Sequence, residues 1–133
     1  DMSREIKFRA WQSVLKIMDY SPHNSISFDG KIVNFGNADI TGFHDNVMQF
    51  TGFLDKAGAE IYEGDIVLYP NDEDENSPFI MKVVFGDGAF RAIDVKNWKA
   101  WVKKYPNDEA LLSMGINEIE IIGNVFQNPE LLK

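Results

Sequence analysis

Glu63 and Asp65 flank a single glycine in the run YEGD, Tyr62–Asp65. Two carboxylates this close could divide acid and base roles in a proton transfer, or hold a divalent cation together. Either use needs further groups converging from elsewhere in the chain. The structural alternative has Glu63 facing solvent and Asp65 accepting backbone N–H groups at the mouth of the following strand. A second acidic group, NDEDEN (Asn71–Asn76), offers clustered oxygens for calcium. It lacks the ligand spacing of an EF-hand loop and the glycine of that loop's sharp turn. As a solvated loop it would instead blunt a sheet edge by charge. His23 and His44 are the two histidines, both in loop-like sequence and without helical spacing. The chain has no cysteine, which removes disulfides, thiolate zinc sites and cysteine nucleophiles. There is no GxSxG elbow and no glycine-rich loop ending in Gly-Lys, so neither a serine triad nor a phosphate cradle finds support. The expectation is a protein with no catalytic residue, no metal and no cofactor.

A different kind of chemistry is written in DVKNWKAWVKKYP, Asp94–Pro106. Val95, Trp98, Val102 and Tyr105 recur at steps of three and four, with Trp101 beside them, as on one face of an amphipathic helix. Lys96, Lys99, Lys103 and Lys104 occupy its polar side, in a chain of 13 basic and 21 acidic residues with net charge −8. Three uses stay open. The aromatics could pack on the body of the fold while the lysines stay wet. Trp98, Trp101 and Tyr105 could anchor a protein partner, with Lys99 and Lys103 meeting an acidic surface. The lysine row could touch nucleic acid, although the overall negative field opposes this.

The elements that must position these residues read mostly as short strands. REIKFRAW (Arg4–Trp11) alternates Ile6, Phe8 and Ala10 against Glu5, Lys7 and Arg9, the period-two pattern of a strand with one wet face. In Val14–Tyr20 two patterns compete: Trp11, Val14, Leu15 and Met18 match a helical face, while the β-rich surroundings favour a second strand, which is the reading taken. SISFDGKIVNF (Ser25–Phe35) reads as a hairpin turned at Asp29-Gly30. After a Gly-, Asn- and Asp-rich loop, Val47–Phe53 is a strand, Asp55–Gly58 a reverse turn, and Ile66–Tyr69 a strand entered through a bend at Gly64. Phe79–Phe85 and Ala89–Ile93 form an antiparallel pair about Gly86–Gly88. Asp94 can cap the amphipathic helix and Pro106 ends it. A second short helix, EALLSM (Glu109–Met114), is stopped by Gly115. Glu118–Phe126 is a last strand with a Gly-Asn break.

The fold class expected is therefore mainly β (α+β). Antiparallel N-terminal strands and hairpins occupy residues 1–46. A C-terminal SH3-like small barrel occupies 47–133 and carries a helical insertion at about 94–115. The 133 residues, 44% of them hydrophobic, suit one compact domain or two small ones. No apolar run approaches the roughly 20 residues of a membrane span. With no cysteine and no targeting signal, the expected location is the cytoplasm.

Three blocks carry a resemblance: REIKFRAW at the start, MQFTGFLDKAGAEIYEGDIV in the middle and IEIIGNVFQNPELL at the end. Together and in this order they resemble the YopX family of phage and prophage proteins. The blocks reach from one end of the chain to the other, and none is a generic motif. The region between Asn71 and Asn117 carries no signature of the family. The resemblance implies a phage-encoded cytosolic protein of mainly β structure, and it brings no reaction and no catalytic residues. Gly52, Gly58, Gly64, Asp65, Gly123, Asn124 and Pro129 fall on the shared blocks, where they read as turn and bulge chemistry.

Taken together, these readings give a non-enzymatic interaction protein of phage origin, acting in the host cytoplasm through protein contacts. Self-association would bring the basic segment of one copy against the acidic loop of another. The alternative is a nucleic-acid-associated factor in phage replication or regulation, working through Lys99 and Lys103. A third reading, a hydrolase built on Glu63 and Asp65 with a metal, depends on those carboxyls converging over a cleft.

Overall fold

A computed structural model describes residues 5–20, 25–26, 30–33, 46–71, 73–86, 88–95, 110–111 and 118–133. It is mainly β. The strands are β1 (Phe8–Gln12), β2 (Ile17–Asp19), β3 (Ser25–Ile26), β4 (Ile32–Val33), β5 (Asn46–Leu54), β6 (Glu60–Tyr62), β7 (Asp65–Tyr69), β8 (Phe79–Gly86), β9 (Ala89–Asp94), β10 (Ala110–Leu111) and β11 (Glu120–Asn124). They form a four-stranded sheet in the order β2-β1-β5-β6, a five-stranded sheet in the order β10-β9-β8-β7-β11, and the two-stranded ladder β3-β4. All pairings are antiparallel. A 3-10 helix at Pro129–Leu132 follows the last strand.

The chain divides into two units, Ile6–Gln49 on one side and Asp1–Glu5 with Phe50–Lys133 on the other, and β5 runs through the division. In the first unit β1 pairs with β2 and with the start of β5. The alternation read from REIKFRAW marks β1, but its faces are the reverse of those expected: Ile6 and Phe8 are exposed, while Arg9 is buried and donates to the Tyr20 hydroxyl at 3.3 Å. The stretch Val14–Tyr20 is strand only over Ile17–Asp19. Ser13–Lys16 is instead the four-residue loop between Gln12 and Ile17, which stand opposite each other, and Lys16 takes φ 55° there. Closing a hairpin this tightly requires turn geometry where propensity favours extended backbone.

In the second unit β7, β8 and β9 form an antiparallel meander, and β11 returns from the end of the chain to lie beside β7. Val67 stands opposite Met81, and Val83 opposite Ala92, so these four share one face. With Ile61 and Ile119 they form the buried core, against which Phe53 and Ile121 pack. The other face is also lined with apolar groups: Ile66 and Ile93, both fully buried, flank Lys82 in register. A strand covered on both faces reads as a continuous apolar run, as IVLY in β7 does.

Two expectations change around the proposed helical insertion. Asp94, read as a helix cap, is the last residue of β9 and stands opposite Met81. Ala110–Leu111, read as part of a second helix, is β10, paired with Ala92 and Arg91 of β9. Helix propensity is a weak preference, and a ladder that satisfies backbone N–H and C=O groups overrides it. The amphipathic segment itself, residues 96–109, lies outside the described residues. Among the described residues no helix is long and apolar enough to cross a membrane.

Candidate functional site

Three buried polar residues of the second unit, Asp55, Asp65 and Asn124, lie where turns meet strand ends. Asp55 opens the sequence Asp-Lys-Ala-Gly between β5 and β6. Gly58 N–H donates to the Asp55 carbonyl at 2.9 Å, and Asp55 N–H donates to the Ala59 carbonyl at 2.8 Å. Gly58 takes φ 86°. This is the three-residue hairpin loop of a type I turn followed by a left-handed residue, which explains a glycine at that position. The Asp55 carboxylate does more than shape the turn. Its Oδ1 accepts the N–H groups of Ala57 and Ala59, both at 2.9 Å. Its Oδ2 accepts the N–H of Ile121, 66 residues away, at 3.1 Å.

Burial pushes the Asp55 carboxyl up, but the N–H groups of Ile121, Ala59 and Ala57 and the Lys56 ammonium outweigh it. The carboxyl is held below the ordinary carboxylate range. Lys56 adds two contacts at the start of the same segment: its N–H donates to the carbonyl of Ile119, just before β11, at 2.8 Å, and its ammonium lies 3.4 Å from Glu120.

Asp65, the member of the expected carboxylate pair nearest the strand, is buried and accepts the Tyr62 N–H through Oδ2 at 2.8 Å. That is the backbone-capping role weighed above. Between them, Gly64 takes φ 86°. Its N–H donates to Val83 and its carbonyl accepts from Val125, both at 2.9 Å. The bend thus passes the chain from β6 into β7 while being held by both β8 and the segment after β11.

A third polar knot closes the chain. Asn124, buried, accepts the N–H groups of Phe126 and Gln127 through Oδ1, at 3.0 and 2.9 Å. Asn124 N–H donates to Asn128 Oδ1 at 3.1 Å. Between Ile121 and Gly123 the pairing with β7 shifts register. A Cβ on Gly123 would lie 2.5 Å from Asn128 Oδ1 and 3.0 Å from Asn128 Cβ. Gly123→Ala is therefore expected to displace Asn128 and cost about 1–3 kcal/mol, the usual penalty for overpacking. A urea titration of the two proteins checks it.

The acidic loop is ordered by its own side chains. Asn71 Oδ1 accepts the Glu73 N–H and Asp74 Oδ1 accepts the Asn76 N–H, while Glu73, Asp74 and Glu75 stay exposed. Among the described residues no group of three or more His, Cys, Asp or Glu gathers as a metal site. His23, His44, Trp98, Lys99, Trp101, Lys103 and Tyr105 lie outside the described residues.

Sequence reasoning saw the Asp55 turn but not the reach of its carboxylate to β11. It passed over Lys82, whose ammonium is pushed below the usual lysine range by burial. The pattern D-x-x-G was the available signal for the first, since Asp at the opening of such a turn accepts the N–H two residues on. The second had none, because lysine in an alternating strand reads as solvent-facing.

The first unit presents another feature. Phe8 and Ala10 alternate along one face of β1. The register adds Val47, opposite Ala10, and Ile17, opposite Gln12, to that face. Phe8, Ile17 and Val47 are 41%, 47% and 39% exposed, and Val14 and Leu15 stand out at the tip of the adjoining hairpin loop.

Comparison with known proteins fits this picture. The chain is 38% identical, over 79 residues, to the SPbeta prophage-derived uncharacterized protein YopX of Bacillus subtilis (strain 168). That match covers 57% of the chain and spans about half, 52%, of the relative's length. Among solved structures, protein yopX from Bacillus subtilis superposes with a TM-score of 0.63 at 24% identity, covering 95% of this chain and 97% of that one. Protein EF1440 from Enterococcus faecalis gives 0.62 at 24% identity, covering 98% and 100%. Both likenesses concern the fold. The family model described as YopX protein matches residues 7–133, and the chain belongs to the YopX family.

Proposed function

We propose that the chain is a non-enzymatic protein-interaction module of phage origin, acting in the host cytoplasm and associating with a second copy of itself. The observation that carries this reading is the exposure of Phe8, Ile17 and Val47 on one sheet face, each more than a third exposed, with Val14 and Leu15 exposed on the loop beside Ile17. Large apolar side chains left exposed on one face of a polar protein favour burial against another protein. The state of the carboxylates supports the same reading. Asp55 and Asp65 are engaged by backbone N–H groups, which is structural work. Trp98, Trp101 and Tyr105 stand as further anchors, and Lys99 and Lys103 as charge partners for an acidic surface, on the sequence grounds given above. An SH3-like barrel remains the proposed frame, supported by the antiparallel meander that β11 joins at β7, with a helix proposed only within 96–109, on the sequence pattern.

Light scattering after size-exclusion chromatography tests the reading on the wild type and on Phe8→Ser/Ile17→Thr. The expected result is a concentration-dependent wild-type assembly that the double variant weakens at least about tenfold, the equivalent of some 1.4 kcal/mol. A wild type that stays monomeric at every concentration, or a double variant that assembles equally well, would remove it.

A further inference from the structure

On the exposed face of the first unit a large and a small side chain stand side by side. Alternation puts Phe8, Ala10 and Gln12 of β1 on this face. The register sets Gln49 opposite Phe8, Val47 and Asp19 opposite Ala10, and Ile17 opposite Gln12. Residues directly opposite each other share a face. Phe8 is 41% exposed, whereas Ala10 is 8% exposed. The short Ala10 side chain is thus the floor of a shallow depression, ringed by the longer Phe8, Val47, Gln12 and Asp19. Gln12 Nε2 donates to Asp19 Oδ2 at 3.1 Å, which closes the ring on the β2 side.

We infer that Phe8 of one copy seats over Ala10 of a second copy, and that Phe8 of the second copy returns the contact. The inference rests on the self-association proposed above and specifies its register. Sheets stacked face to face lie about 10 Å apart and interdigitate. A phenylalanine ring between them therefore needs a small residue facing it. Here the ring and the depression that fits it lie on one strand, on either side of Arg9. A two-fold axis between the sheets, perpendicular to β1 at the level of Arg9, exchanges them. It lays β1 antiparallel over its copy and fills both depressions at once. Asp19 stands at the level of Ala10 and so comes over the level of Phe8 in the second copy, away from the like charge there.

Ala10→Leu separates this register from general stickiness, because it adds apolar surface while filling the depression. Mass is measured by light scattering across concentration for wild type, Ala10→Leu, Phe8→Ala and an equimolar mixture of the two variants. Each variant alone is expected to assemble at least about tenfold more weakly than wild type. Ala10→Leu sets leucine against both rings, and Phe8→Ala leaves both depressions empty. The mixture is expected to recover assembly to within about threefold of wild type. In it, Phe8 of the first variant enters the Ala10 depression of the second, and the other contact sets alanine against leucine. If Ala10→Leu does not fold, Ala10→Val takes its place in the same mixture. An Ala10→Leu protein that assembles as tightly as wild type overturns the inference and leaves self-association standing. So does a mixture no heavier than its components. A wild type that stays monomeric removes both.

Discussion

Replacing Asp55 with alanine is expected to destabilise the protein by roughly 3 kcal/mol, since a carboxylate serving three backbone donors is lost and Ile121 is left without its acceptor. The carboxylate ties together two segments 66 residues apart, so the loss falls on the pairing of β11 as well as on the local turn. The effect also depends on pH. The folded carboxyl titrates below the ordinary carboxylate range, held there against burial by the N–H groups of Ile121, Ala59 and Ala57 and by Lys56. The unfolded chain therefore binds the proton more readily, and acid favours unfolding. The stabilisation is fully present above the ordinary carboxylate range and is lost as pH falls through the lowered folded value. Urea midpoints measured from neutral pH into strong acid should fall for the wild type over that window and fall less for Asp55→Asn. Parallel curves for the two proteins would show that Asp55 titrates alike folded and unfolded.

The second large effect belongs to Ile61. It is fully buried and lies in the core cluster with Val67, Met81, Val83, Ala92 and Ile119, although its own strand, β6, pairs with β5. Its backbone carbonyl also accepts the Thr51 hydroxyl at 2.7 Å. The side chain therefore joins the β5–β6 hairpin to the five-stranded sheet within the second unit. Truncation to alanine removes apolar contacts and leaves a cavity that a β-sheet core collapses around poorly. The expected cost is about 2–5 kcal/mol. Ile61→Val should cost only about 0.5–1.5 kcal/mol. Equilibrium unfolding of both variants checks the pair. An alanine variant within 1 kcal/mol of the valine variant, on the order-of-magnitude scale of such truncations, would mean that Ile61 does not bridge the two sets of strands.

Much of the strand content was legible because it depends on neighbours in sequence. Phe8 and Ala10 alternate with Lys7 and Arg9, Gly30 with φ 84° follows Asp29 between β3 and β4, and Gly58 ends the turn that Asp55 begins. Each of these is fixed by side-chain alternation or by a backbone angle that favours glycine. The two-residue strand at Ala110–Leu111 was not legible, because its extended form depends on β9 lying alongside. The three blocks of family sequence carried the identification, and they did so without indicating any reaction.

The candidate functional features divide in the same way. From the chain alone one could assign Asp65 to backbone capping as one of two options, and rule out cysteine chemistry. The order of residues also determined the mainly β class, because periodicity is a local property. Only the folded arrangement decided that Asp55 reaches β11, that Lys82 lies between Ile66 and Ile93, and that Phe8, Ile17 and Val47 share a face. Those outcomes depend on strand register and on contacts between distant segments. A one-residue slip would turn each of these side chains to the opposite face, and no local pattern encodes which register the chain adopts.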